Sequence, residues 1–421
     1  MFGWSDGNPG RIVGLLDIGS EKICCMIVSV PQMSRKKRGG DNHPRVLGMA
    51  AQRSRGIKAG FVTDADSAET AVAATVARAE RAAGLRVEHV LVNVSCGRPE
   101  VTAFKASTQL EHGRVDRPAM ARLHAAARSF AERQGRIAIK LWKPKYAVDH
   151  QPYKTVPLAE HGRELAGEFR AITADDGPVD GLAHLIERCV LSVDAFVPTA
   201  LASALAVTTA EERRLGVTVV DIGAGCMDYV TLADDAVVAC GALPIGASHI
   251  TSDIARTFGT SLVAAERMKT LHGGLVAAQS DAAATFSFPA TDDPDGDTGE
   301  ATRLELIEVV RWRVARQLQA LQERITAHDP AWNDPLVFTG GGSNLPGLVQ
   351  FAANALHRKA RLGRPAPVAG MTQTAATGSL ATVIGMAATM RSRAHAFDVW
   401  PNRSVETTYL RRVQEWVRES F

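Results

Sequence analysis

The sequence predicts an α/β protein built from two related domains, and three observations carry that expectation. A valine-rich run, Val217-Thr218-Val219-Val220, ends on Asp221-Ile222-Gly223-Ala224-Gly225-Cys226 and re-enters an apolar strand at Tyr229. Buried strands read as near-continuous apolar runs, and glycines at such a bend let backbone N–H groups converge on an anion. A second copy stands near the start: Gly14-Leu15-Leu16-Asp17-Ile18-Gly19-Ser20-Glu21-Lys22, followed by Ile23-Cys24-Cys25-Met26-Ile27-Val28. One such unit says little, because many hairpins turn through Asp and Gly; two imply halves that face each other. The length, 421 residues, leaves room for about two domains.

Bulk composition narrows the class. Hydrophobic residues at 46% and charged residues at 22% are ordinary for a soluble globular chain. A net charge of +3 gives no argument for nucleic acid, and none is expected as a partner. No apolar run approaches the roughly 20 residues of a membrane span, and the first residues hold no apolar signal-peptide core. Six cysteines form no CxxC pair and no metal-ligand spacing. Most lie in apolar stretches and read as small core residues of a reduced, cytosolic protein.

In chain order, residues 11–30 read as the first hairpin, and Arg35-Lys36-Lys37-Arg38 as a solvated hairpin tip. Residues 45–53 are a third strand. Residues 64–84 are an alanine-rich helix with Asp64 near its start and Gly84 at its end, and 87–94 return as a strand. Residues 95–169 break the pattern with short strand-like pieces, a helix at 118–134, and prolines in Lys143-Pro144-Lys145 and Gln151-Pro152-Tyr153. This stretch is expected as an inserted subdomain. A helix over 179–192 and a strand over 193–197 follow, and Pro198-Thr199-Ala200 opens a helix leading to the strand at Val217.

After the second hairpin, one helix runs to 258 and another spans 261–271. Asp292, Asp293, Asp295, Asp297 and Glu300 mark 289–300 as an acidic loop whose spacing fits no calcium-binding loop. A long helix over 302–328 precedes a strand at 336–338, the bend Thr339-Gly340-Gly341-Gly342-Ser343 and a helix over 348–358. Strand, glycine-rich turn and helix together suit a ligand held at a helix N-terminus. A small-residue helix over 377–389 closes the body.

Residues 391–407 have linker character. Beyond them Tyr409, Val413, Trp416, Val417 and Ser420 recur at three-to-four-residue spacing, with Leu410 and Phe421 flanking and the arginines mostly off the stripe. Such a helix suits a membrane interface; docking on its own domain or on a partner is the alternative.

The two Asp-Ile-Gly hairpins and the Thr-Gly-Gly-Gly bend resemble the phosphate 1, phosphate 2 and adenosine motifs of the actin/sugar-kinase/heat-shock-ATPase superfamily. Within it the chain is similar to the FtsA family of bacterial cell-division proteins over nearly its whole length. The likeness also rests on Leu243-Pro244-Ile245-Gly246, Thr251-Ser252-Asp253-Ile254-Ala255, Glu266 with Lys269, and the closing Trp416-Val417-Arg418-Glu419-Ser420-Phe421.

The resemblance implies an actin-like fold with duplicated ribonuclease-H-like cores. Subdomain 1A would span 11–94, 170–207 and 363–396, with subdomain 1C inserted over 95–169. Subdomain 2A would span 208–243 and 302–362, and 2B 244–301. A linker over 397–407 would lead to a membrane-targeting amphipathic helix over 408–421. ATP and Mg²⁺ would occupy the cleft between the domains.

Gly19, Ser20, Glu21 and Lys22 would form the first phosphate loop, with Lys22 as counter-charge. Gly223, Ala224, Gly225 and Cys226 would form the second, while Asp17 and Asp221 hold Mg²⁺ through water. Glu266 and Lys269 would reach ribose and base, and Gly341, Gly342 and Ser343 would lie against the nucleotide. Implied partners are the C-terminal tail of FtsZ on subdomain 2B, with Arg313 aligned to a basic residue there, further copies of the chain in a filament, and later divisome proteins through 1C. The bilayer surface would receive Tyr409, Leu410, Val413, Trp416, Val417 and Phe421, placing the protein peripherally on the cytoplasmic face of the inner membrane at the septum.

Departures from the family pattern shape the expectation. Ala224 adds a methyl where backbone would approach phosphate, and Cys226 replaces a threonine hydroxyl with a weaker hydrogen-bonding thiol. Hydrolysing relatives place Glu or Gln near the segment written here Pro198-Thr199-Ala200, to orient the attacking water. No carboxylate occurs from 195 to 210. The expected function is therefore an ATP-binding, polymerising protein that tethers FtsZ filaments to the membrane, with weak or no hydrolysis and no assigned catalytic residue. A pilus or secretion scaffold on the same fold and a small-molecule kinase or phosphatase are the alternatives.

Overall fold

Two five-stranded sheets with the same strand order form the body. They are seen in a computed structural model that describes residues 11–31, 43–133, 135–142, 144–153, 155–290, 297–329 and 332–390. In the first sheet, β1 (Arg11–Ile18), β2 (Lys22–Val30) and β3 (Arg45–Arg53) make an antiparallel meander. A short hairpin, β4 (Ile57–Lys58) and β5 (Phe61–Val62), leads into α1 (Ala65–Ala83). Asp64 caps that helix by accepting from Ser67 N, and Gly84 ends it in a left-handed turn (φ 70°). β6 (His89–Val94) then lies parallel to β1.

The inserted unit follows: β7 (Glu100–Gln109), α2 (Arg117–Ala131), β8 (Arg136–Leu141), β9 (Lys145–Val148), β10 (Gln151–Tyr153) and β11 (Glu164–Asp175). Its sheet, β10-β9-β11-β7 with β8 also on β11, packs on α2 around Leu123, Phe169 and Leu165. β11 runs on past residue 169, where the insertion was expected to end, so it physically joins the insertion to the first domain. α3 (Asp176–Arg188) and β12 (Ser192–Pro198) return the chain to the first sheet, with β12 parallel to β6. The helix expected over 179–192 starts earlier because Pro178 sits in its first turn, where a missing N–H costs nothing.

α4 (Thr199–Val207) and α5 (Ala210–Leu215) cross to the second sheet. There β13 (Val217–Ile222), β14 (Met227–Ala233) and β15 (Ala236–Leu243) repeat the antiparallel meander. α6 (Ala247–Phe258), α7 (Leu262–His272), β16 (Thr285–Pro289), β17 (Thr298–Thr302) and α8 (Arg303–His328) follow. The stretch expected as an acidic loop over 289–300 is in part a hairpin. Pro289 pairs with Thr298 because Phe288 buries its ring over Gly299, while 291–296 lie outside the described residues.

β18 (Leu336–Thr339) and β19 (Ala360–Leu362) add two parallel strands beside β13, completing the repeat of the first sheet's order. α9 (Leu348–Leu356) lies between them. It stops short of the expected 358, with His357 in a left-handed conformation (φ 52°). α10 (Ala381–Thr389) begins after a 3-10 turn over Gly378–Leu380, so the last helix is shorter than 377–389. The basic turn 35–38, the linker and the expected amphipathic helix 408–421 lie outside the described residues.

Apolar packing explains the layers. One face of the first sheet packs on α1 and α3 through Val72, Val76, Leu182 and Ile186; the other meets Val383, Ile384 and Met386 of α10. The second sheet buries one face under α6, α8 and α9. Its other face lies on α4, whose Ala200, Leu201 and Ala204 share a cluster with Val219, Val230 and Val337. α4, rich in small residues, thus lies buried between the second sheet and α10. Cys24, Cys25, Cys96, Cys226 and Cys240 are buried in these layers and Cys189 is partly so, as their apolar settings imply.

Candidate functional site

Identical strand order puts the two Asp-Ile-Gly bends at equivalent places, the carboxyl ends of β1 and β13, where open α/β sheets gather ligands. The bends share their internal geometry. Gly19 N donates to Lys22 O at 3.0 Å, and Gly223 N donates to Cys226 O at 2.9 Å. They also meet: a Cβ placed on Gly225 would lie 2.4 Å from Ser20 Oγ and 3.1 Å from Ala59 N. Gly225 is therefore the residue that lets the two turns close on each other.

The second bend is braced from behind. Ala247 N donates to Gly223 O and Ser248 N to Ala224 O, each at 2.9 Å, so the start of α6 grips the turn's carbonyls. Lys269 Nζ donates to Ala247 O (3.3 Å), Thr251 Oγ1 (2.9 Å) and Glu266 Oε2 (2.6 Å). Glu266 and Lys269 thereby stand together beside α6, joined to the second bend through Ala247. At the third bend Gly340 has φ 84°, and a Cβ there would strike Asp221 Oδ1 at 2.2 Å. Gly341 faces open space, with Ser379 Cβ the nearest atom to an added Cβ at 3.9 Å. Ser343 is 4% exposed and donates its hydroxyl to Gly340 O at 2.7 Å, so it shapes the bend from inside.

Charge is concentrated where these bends converge. Burial raises the Asp17 carboxyl to about 7; Lys22 pulls it down and Asp221 pushes it up. Asp221 is raised by burial, opposed by hydrogen bonds from Ser203 and Thr382 and by Lys22. Asp228 is raised well above the usual carboxylate range, by burial first and by Asp221 second. Lys22 Nζ donates to Ser379 O at 2.5 Å, tying the first bend to the turn before α10. Asp17, Asp221 and Asp228 are thus buried acids with the Lys22 ammonium acting on the first two, and among the described residues no three acidic, histidine or cysteine side chains are placed to ligate a metal ion together.

Several residues here escaped the sequence reading. Ile18 N donates to Asn93 Oδ1 at 2.7 Å, which turns the Asn93 amide N–H toward Thr199 Oγ1 at 3.1 Å. Ser95 Oγ lies 2.8 Å from Thr199 Oγ1 and 3.1 Å from Asp228 Oδ2. This polar chain runs from the first bend to β14 across the domain boundary. No acid occurs in residues 195–210, and the carboxyl joined to Thr199 through Ser95 is the buried Asp228. The available signal was topological: Ser95 and Thr199 directly follow the parallel strands β6 and β12, beside Asp17.

Arg313 lies elsewhere, on α8, with both its Nε and Nη2 donated to Asp253 of α6, the second at 2.7 Å. The adjacent Trp312 is 54% exposed, and Asp253, Arg256, Glu308 and Val309 line a groove beside it.

The comparisons with known proteins agree with this architecture. A family model described as "Cell division protein FtsA" matches residues 218–385, which contain the second and third bends. The cell division protein FtsA of Agrobacterium fabrum is 31% identical over 98% of this chain and 95% of its own length. The chain belongs to the FtsA family. The FtsA of Rhizobium meliloti is 30% identical over the same shares, and that of Escherichia coli 24% identical over 98% of each chain. Among solved structures, a chain of the PilM–PilN type IV pilus biogenesis complex superposes with a TM-score of 0.60 at 17% identity, covering 91% of this chain and all of the other. Spiroplasma citri MreB5 superposes at 0.50 and 12% identity, covering 89% and 95%. These two likenesses place the fold as actin-like.

Proposed function

We propose that this FtsA-family chain binds ATP with Mg²⁺ between its two Asp-Ile-Gly bends, polymerises, and holds FtsZ filaments on the cytoplasmic face of the membrane at the septum. The observation that carries the nucleotide part is the meeting of two bends of equal geometry beside three buried acids, with Gly225 against Ser20. The MreB5 neighbour, solved with ADP, supports a nucleotide in a cleft of this fold. Gly19, Ser20, Glu21 and Lys22 would face one side of the phosphates and Gly223, Ala224, Gly225 and Cys226 the other. Asp17 and Asp221 would hold Mg²⁺ through water. Glu266 and Lys269 would line the ribose side, and the open face of Gly341 the base, with Gly342 and Ser343 holding that bend in place.

Such a ligand would bring its divalent cation to the buried acids and fix the angle between the sheets. That angle sets which surfaces meet in a filament. The FtsZ tail would lie by Arg313 and Trp312, where a carboxylate-bearing peptide competes with Asp253 for the guanidinium. The inserted subdomain would receive later divisome proteins.

The membrane part rests on the amphipathic pattern of residues 409–421. Burying a large apolar side chain supplies about 1.5–3 kcal/mol when complete, and ordering the helix consumes much of that. A single tail then binds reversibly, and a filament holds through many tails at once. Co-sedimentation with anionic vesicles, with and without ATP and an FtsZ tail peptide, tests the whole reading. Deleting 409–421 should remove vesicle binding and leave ATP binding intact; unchanged sedimentation of the truncated chain refutes the tether.

A further inference from the structure

The inserted subdomain does not hang from the first domain alone. β15 is the edge strand of the second sheet, and β7 of the insertion packs along it. An edge strand leaves backbone carbonyls without ladder partners, and two side chains of the insertion reach carbonyls on β15 and on the turn that leads into it. Trp142 Nε1 donates to Asp235 O at 3.1 Å, and Arg170 Nη1 donates to Val237 O at 3.2 Å. The two donors are locked together, since Trp142 N donates to Arg170 O at 2.7 Å. Trp142 is 8% exposed, and its ring shares an apolar cluster with Ile172 of the insertion, Leu201 and Ala204 of α4, and Val237 of the second sheet. α4 in turn carries Ser203, whose hydroxyl donates to Asp221 at the second bend.

We propose that Trp142 and Arg170 are positioning residues that latch the inserted subdomain to the edge of the second sheet, so that nucleotide state at the two bends sets the subdomain's orientation. This rests on the nucleotide reading above. The route is physically continuous: Asp221, Ser203 on α4, the apolar bed of α4, the Trp142 ring, then the carbonyls of Asp235 and Val237. Any rotation of the second sheet about α4 must either carry the insertion with it or break both hydrogen bonds. A subdomain anchored to one domain alone would not feel the cleft; this one is tied to both.

The test is hydrogen–deuterium exchange on the full chain, with and without Mg²⁺–ATP, followed separately in the bends (19–22 and 223–226), in β15 and in β7. In the wild-type chain ATP should slow exchange at the bends and change it severalfold in β7 and β15. Trp142→Phe keeps an aromatic ring, though a smaller one, and removes the N–H; Arg170→Met keeps the stem and removes the guanidinium. Together they should abolish the β7 response while the bends stay protected, and Arg170→Lys, which keeps a donor, should restore part of it. A wild-type β7 that ignores ATP while the bends respond overturns the latch, as does an unchanged β7 response in the double variant. Bends that ignore ATP at saturating concentration overturn the nucleotide reading, and the latch with it. The wild-type experiment alone decides the case if the double variant does not fold.

Discussion

Asp17→Asn should make the nucleotide-free protein more stable above pH 7 while weakening its hold on Mg²⁺–ATP. In the folded chain burial raises the Asp17 carboxyl from 3.8 to about 7. As pH rises through that window, the unfolded chain has already released its proton and the folded chain still keeps one. Stability therefore falls with rising pH, and the favourable contribution present below about 4 is gone above about 7. Three pKa units correspond to about 4 kcal/mol, so the gain from the neutral amide should be of that order at pH 8 and vanish near pH 4. Calorimetry at both pH values reads this directly. A variant no more stable than wild type at pH 8 would show that Asp17 is not a strained acid. ATP titration should show Mg²⁺-dependent affinity lowered at least tenfold, because the amide brings no charge to the cation. Stability and ligand binding thus pull in opposite directions at one atom pair, as expected where a fold keeps a buried charge for a ligand.

Gly385→Ala should be among the most damaging single methyl additions in the chain. Gly385 lies on α10 where it crosses α4, and a Cβ there would sit 1.7 Å from Ala202 O and 2.3 Å from Ala202 C. Backbone cannot yield as a side-chain end can, so the helices must separate. Overpacking typically costs about 1–3 kcal/mol and occasionally more; contact this close places Gly385→Ala at or above that upper end. The damage should reach the cleft, because Thr382 of α10 and Ser203 of α4 both hydrogen-bond to Asp221. Gly181→Ala is the control. It is also a helical glycine, but its added methyl would meet nothing within 4 Å. That change should stabilise by about 0.5–1 kcal/mol. Equal effects of the two substitutions on the denaturation midpoint would contradict this account.

The sequence by itself determined the paired Asp-Ile-Gly bends, the α/β class, the insertion and the helix starting after Asp64. Each rests on local physics: apolar runs that can only be strands, glycines that only a turn needs, and a side chain that caps its own helix. Boundaries drifted where a neighbour overruled local preference, as where Phe288 covers Gly299 and draws Pro289 into a hairpin. The tertiary structure alone decided what the bends do to each other. That Gly225 closes on Ser20, that Asp228 reaches Thr199 through Ser95, and that Trp142 grips the far sheet are contacts between residues far apart in the chain. No periodicity encodes them, because they depend on how two sheets turn about α4. Motifs name the parts of a cleft; only packing fixes the distance across it.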